Sequence, residues 1–230
     1  MPERTIRNEQ IQKKSSKMLA FLIYAVFLYG FWTCKELLIE PAVTEILPEG
    51  ALHEILFGLL KLAVWTVPAL LLARRYSDEM QVGFREMFTS KPPLKIVLIS
   101  FLVYTLVSFP LLKLFKGTLA LNPDFHIGTH LWLLIVGITE EAVFRGWMLN
   151  ATAKKTNDAA ALGLNALMFL AIHFPKWIDE GIFVQAFTGF GFLSIIVFSV
   201  VTGYIFLKTK NLLLPVLLHM WYDLMLSIFA

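Results

Sequence analysis

The sequence predicts an all-α, polytopic membrane protein with about seven transmembrane helices. Hydrophobic residues make up 57% of its 230 residues and charged residues only 16%, whereas soluble domains average roughly 45–50% apolar and about 25% charged residues. The apolar residues also gather into stretches of about 20, the length that a helix needs to cross the roughly 30 Å hydrocarbon layer. Turn formers and charged residues separate these stretches. The composition therefore excludes disordered, collagen-like and disulfide-scaffold proteins.

Seven stretches are long and apolar enough to be predicted as membrane spans. In chain order they are Met18 to Leu38, Leu52 to Ala73, Leu94 to Phe115, Leu131 to Ala151, Asp158 to Phe174, Ile182 to Leu207 and Leu212 to Phe229. We expect three parts: a basic cytoplasmic segment (1–17), three N-terminal membrane helices (18–127) and a membrane core (128–230).

The basic residues predict the orientation in the membrane, because Lys and Arg in short loops favour the cytoplasmic side. With alternating spans, 14 of the 20 Lys and Arg residues fall on one side, together with the N-terminus, and 4 fall on the other. This distribution predicts a cytoplasmic N-terminus and accounts for the net charge of +3. It indicates the lipid bilayer as a partner, with no need for nucleic acid.

Ionisable residues inside the predicted spans are candidates for a functional site, since each costs ~2.5–3.5 kcal/mol to insert near the bilayer centre. The second half of the chain contains six: Glu140, Glu141 and Arg145 in the fourth span, His173 at the end of the fifth, and His219 and Asp223 in the seventh.

Helical spacing organises these residues into pairs. Glu141 and Arg145 are four apart, which predicts an ion pair on one helix face. His219 and Asp223 lie one turn apart in the same way. At about 1.5 Å rise per residue, the cytoplasmic ends of the spans lie roughly 12–22 Å from Glu140, His173, His219 and Asp223. We therefore expect them to meet at similar depth inside the bundle.

Carboxylates and imidazoles in a membrane cavity are suited to hydrolysis by an activated water, with Glu140 as general base. A zinc site built from Glu140, His173 and His219 is an alternative that the sequence leaves open. No cofactor is otherwise expected. His53 and Glu54 begin an HExxH pattern that Phe57 interrupts, so a zincin site is unsupported.

Three motifs on successive spans resemble those of the CPBP family of CAAX proteases and bacteriocin-processing enzymes, also called Abi. They are Glu140-Glu141-x-x-x-Arg145, Phe169-x-x-x-His173 and His219-x-x-x-Asp223. The resemblance covers about Leu131 to Ala230 and implies an intramembrane glutamic endopeptidase.

By that resemblance, Glu140 and His173 activate the water, and His219 with Asp223 stabilises the oxyanion of the tetrahedral intermediate. Glu141 and Arg145 support the arrangement. The prenyl-protein proteases carry Asn where this chain has Asp223, so we expect Asp223 to orient and charge His219 instead.

The substrate predicted from the resemblance is a peptide or membrane protein. The chain length, the charge bias and the short loops are typical of a multi-pass protein of a bacterial plasma membrane. Two other classes compete with the protease: a non-catalytic bacteriocin-immunity or scaffold protein of the same family, and a transporter. The transporter is disfavoured because no inverted repeat is present.

Overall fold

The computed structural model describes residues 2–48, 50–116, 119–123, 125, 132–189 and 191–229. The chain is 81% helical, and no β-strand occurs in these ranges. This confirms the predicted all-α class. The predicted beginning of the fourth span at Leu131 and the predicted boundary between residues 127 and 128 lie outside the described residues.

The helices follow the predicted apolar stretches. The α-helices are α1 (Pro2–Cys34), α2 (Glu40–Thr44), α3 (Ala51–Lys61), α4 (Val67–Arg75), α5 (Glu86–Thr89), α6 (Leu94–Lys116), α7 (Trp132–Glu141), α8 (Asn150–Ala153), α9 (Asp158–Ala171), α10 (Phe174–Asp179), α11 (Phe183–Thr188), α12 (Gly191–Thr209) and α13 (Leu213–Ile228). A 3₁₀ turn covers Ser77–Glu79. The π-helical segments Lys35–Ile39, Leu62–Thr66 and Ala142–Leu149 continue α1 into α2, α3 into α4 and α7 into α8.

Four helices in the described part of the chain are long and apolar enough to cross a membrane: Ser16–Thr44, Leu52–Arg75, Asp158–Asp179 and Gly191–Thr209. Shorter apolar helices cover Leu94–Phe109 and Leu213–Ile228. The total of seven spans and the side of the N-terminus remain predictions.

The predicted sixth span, Ile182 to Leu207, is not one continuous helix. Helix α11 ends at Thr188, where Gly189 adopts an extended conformation, and α12 begins at Gly191. No charged residue and no proline lies in this stretch, which is why the sequence predicts a single span. The separate α11 forms part of the wall of a cavity described below.

The helix that carries Glu140 occupies the centre of the bundle. Every residue from Ala142 to Leu149 is buried. This segment packs on α4 and α9, while α7 packs on α13 and α9 packs on α12. A Cβ atom at Gly203 would lie 2.8 Å from a methyl group of Leu162, so α12 and α9 approach closely there.

Candidate functional site

Glu140 lies at the end of α7 and forms an ion pair with Lys61 at the end of α3. Lys61 Nζ donates to Glu140 Oε1 at 2.6 Å, and the two side chains are 9% and 10% exposed. Helical spacing predicts no partner for Glu140 on its own helix. Lys61 could have been found in the sequence, because it is an ionisable residue inside the second predicted span. Its insertion near the bilayer centre is as costly as that of the six candidate residues.

Glu141 and Arg145 form the ion pair that their spacing predicted. Arg145 Nη1 donates to Glu141 Oε1 at 3.0 Å, and both side chains are fully buried. Arg145 Nη2 also donates to Thr202 Oγ1 at 2.5 Å. Its guanidinium lies 4.5 Å from the ring centre of Phe169. Arg145 therefore ties the central helix to α9 and α12.

His219, on α13, lies between three carboxylates. Its Nδ1 donates to Glu141 Oε1 at 2.8 Å. Its Nε2 lies 3.9 Å from Glu140 Oε2 and 3.6 Å from Asp223 Oδ2. Both distances exceed that of a normal hydrogen bond. The hydrogen bond that fixes the ring is therefore the one to Glu141, whereas Asp223 is an ion-pair partner on the other side of the ring.

His173 lies in the turn between α9 and α10. Helix α9 ends at Ala171, and Pro175 fits the first turn of α10, where a missing N–H is tolerated. His173 Nδ1 donates to the carbonyl of Phe169 at 2.8 Å. This hydrogen bond leaves Nε2 as the nitrogen that can accept a proton.

Two cavities meet at His173. One, of about 390 Å³, is lined by Glu140, Lys61 and His173 together with charged residues from α10 and from the end of the first span. The other, of about 470 Å³, is lined by His173, His219 and Asp223 and by mostly apolar side chains of α11, α12 and α13. We call them the polar cavity and the apolar cavity. The candidate catalytic residues form the wall between them.

Five of the six predicted site residues thus lie within 4 Å of at least one other member of the group. The sixth, His173, lines both cavities. Within the described ranges, no group of three or more His, Cys, Asp or Glu side chains is arranged to hold a metal ion. The fully buried Asn165 donates to the carbonyl of Phe144 and so joins α9 to the central helix.

The fold and site together define a helical membrane protein with buried carboxylates and histidines beside two cavities. Residues 122–225 match the model of the Rce1-like family, described as type II CAAX prenyl endopeptidase Rce1-like. This match confirms the resemblance to the CPBP family over that segment and supports a membrane protease. No curated protein and no solved structure gives a significant match to the chain.

Proposed function

We propose that this protein is an intramembrane endopeptidase in which Glu140 activates a water molecule to hydrolyse a peptide bond. The observation that carries the proposal is the position of Glu140, whose Oε1 is engaged by Lys61 while its Oε2 faces His219. One carboxylate oxygen is therefore held and the other is directed toward the site. A carboxylate placed in this way suits general-base catalysis.

The reaction is a direct attack by water. Glu140 Oε2, assisted by His173 Nε2, takes a proton from the water as its oxygen bonds to the peptide carbonyl carbon. The carbonyl oxygen becomes negatively charged in the tetrahedral intermediate. Collapse of this intermediate breaks the C–N bond, and the proton held by the site passes to the leaving amine nitrogen. The products are a carboxylic acid and an amine, which become a carboxylate and an ammonium group when the proton of the acid passes to the amine.

His219 stabilises the oxyanion when its ring carries both protons, because Nδ1–H is bound by Glu141 and Nε2–H remains to donate. Glu140, Glu141 and Asp223 all lie within 4 Å of the ring and balance its positive charge. We propose that Asp223 helps to balance the charge of His219 and lines the apolar cavity, and that Glu141 orients the His219 ring. Arg145 in turn holds Glu141.

The proposed substrate is a peptide or membrane protein that enters the apolar cavity. Aromatic side chains of Phe169, Trp177 and Phe198 line this cavity beside His219 and Asp223. Such a lining favours an apolar segment of the substrate. Because the family model is described as a CAAX prenyl endopeptidase, a prenylated CAAX peptide is one substrate to assay. We place the protein in the plasma membrane of a bacterium, on the charge bias and the short loops.

The test compares membrane and released peptides from cells producing the wild-type protein or Glu140→Gln. The control is Glu180→Gln, since Glu180 also lines the polar cavity but its ion pair, with Lys176 at 3.7 Å, is exposed. We expect cleavage products in the wild type and in Glu180→Gln that are absent from Glu140→Gln at equal protein levels. Retained products in Glu140→Gln would refute the proposal.

A non-catalytic immunity or scaffold role predicts a different result. In that case Glu140→Gln would preserve the cellular phenotype, because the glutamine keeps the size of the side chain. Zinc bound by Glu140, His173 and His219 is a third arrangement, and it predicts that removal of the metal abolishes cleavage.

A further inference from the structure

Lys61 is contributed by a helix that lies outside residues 122–225, the segment matched by the family model. Its ammonium nevertheless donates directly to Glu140, the proposed general base. The charged groups are 2.6 Å apart and the side chains are almost fully buried. Buried charges are costly unless they are paired, so neither group is suited to this position without the other.

Aromatic rings hold the ammonium of Lys61 in place. Nζ lies 4.6 Å from the ring centre of Trp65 and 5.1 Å from that of Trp32. Trp65 itself is 1% exposed and packs against Trp32 at a centroid distance of 4.3 Å. Indole faces attract cations, and a buried ring has little freedom to move. The rings and Glu140 together restrict Lys61 Nζ to one position.

We propose that Lys61 is a positioning residue for the hydrolysis, a role that rests on the proposed function. By binding Oε1, Lys61 fixes the rotation of the Glu140 carboxylate and keeps Oε2 directed toward His219. Without the ammonium, the carboxylate rotates and no longer presents one oxygen to the water. Displacement of a catalytic group by about 1 Å can lower a rate about 10²-fold.

Lys35 provides a matched control. It is also buried, lines the same polar cavity and lies over aromatic rings, at 4.5 Å from Trp32 and 4.8 Å from Phe57. Its ion-pair partners are Glu36 and Glu40. Lys35→Met therefore removes a buried cation of similar surroundings without removing the charge that contacts Glu140.

The experiment measures kcat and KM of the purified full-length chain in lipid vesicles. The probe is an internally quenched peptide built on the cleavage site that depends on Glu140, assayed beside a farnesylated CAAX peptide. We expect Lys61→Met to lower kcat about 100-fold with KM unchanged within about twofold. We expect Lys35→Met to keep kcat within about threefold of the wild type.

Chemical rescue separates positioning from a loss of folding. Compared with lysine, the alanine in Lys61→Ala lacks the three carbons and the nitrogen of n-propylamine. Added propylammonium should therefore raise the kcat of this variant at least about tenfold, and 1-propanol should not. Full kcat in Lys61→Met, or equal losses in the Lys61 and Lys35 variants, would overturn the role of Lys61 while leaving the protease intact. An inactive wild type would overturn both proposals.

Discussion

Removal of the Arg145 guanidinium is expected to destabilise the whole bundle. In Arg145→Met the side chain keeps much of its length, but Glu141 loses the cation that lies 3.0 Å from its Oε1. The carboxylate is fully buried and then retains the hydrogen bond from His219 Nδ1. The carbonyl of Ser199 and the hydroxyl of Thr202 also lose a donor.

The magnitude follows from the burial of this pair. Breaking a buried ion pair by removing one partner typically costs about 3–5 kcal/mol, because the remaining charge stays in the interior without compensation. We therefore expect Arg145→Met to lower the free energy of unfolding by about 3–5 kcal/mol. Adding Glu141→Gln to that variant removes the stranded charge and should recover about 1–3 kcal/mol.

The assay is an SDS titration of the protein in mixed micelles, with unfolding followed by circular dichroism. Lys210→Met is the control. Lys210 contacts Glu86 at 3.1 Å, nearly the same distance as in the buried pair, but these side chains are 55% and 43% exposed. An exposed pair contributes about 0–1 kcal/mol. Equal, small losses in Arg145→Met and Lys210→Met would refute the reasoning.

Other contacts make three further outcomes measurable. Gly137→Ala would place a Cβ 2.8 Å from Met220 and should lower the free energy of unfolding by about 1–3 kcal/mol. The Cβ in Gly163→Ala meets nothing within 4 Å, so this variant should raise the free energy of unfolding by about 0.5–1 kcal/mol. The SDS titration measures both, and equal effects would contradict the packing argument. Asp223→Asn should keep kcat within about tenfold, because Glu140 and Glu141 still balance the charge of His219 and Asn retains a polar oxygen beside the ring. Asp223→Leu should lower kcat about 100-fold, because it removes both the charge and the polar oxygen. Unchanged cleavage in the leucine variant would exclude this role. Dialysis against EDTA should leave cleavage unchanged, and a loss that zinc restores would establish the metal alternative.

The lipid environment and the local pairs could be predicted from the sequence. Apolar stretches of membrane length are visible in the order of residues. In the described ranges the structure confirms an all-α fold, with four helices long and apolar enough to span a membrane. The Glu141–Arg145 pair could also be predicted, because four residues make about one helical turn and both groups belong to the same helix. Helical geometry places two such side chains within reach of each other.

The break between α11 and α12 could not be predicted in the same way. The stretch around Gly189 contains no charged residue and no proline, and such a stretch is compatible with one long helix. The extended conformation at Gly189 divides the run. Glycine adopts such conformations at little cost, but its presence does not require one.

By itself, the sequence determined that this chain is helical, that it has apolar stretches of membrane-spanning length, and that a few ionisable residues lie inside these stretches. Only the tertiary structure decided which of these residues meet. Lys61 reaches Glu140 across 79 residues of chain, and His219 donates to Glu141 across 78. Helical periodicity gives the face on which a residue lies, whereas contacts between helices depend on how each helix is rotated and at what depth it packs.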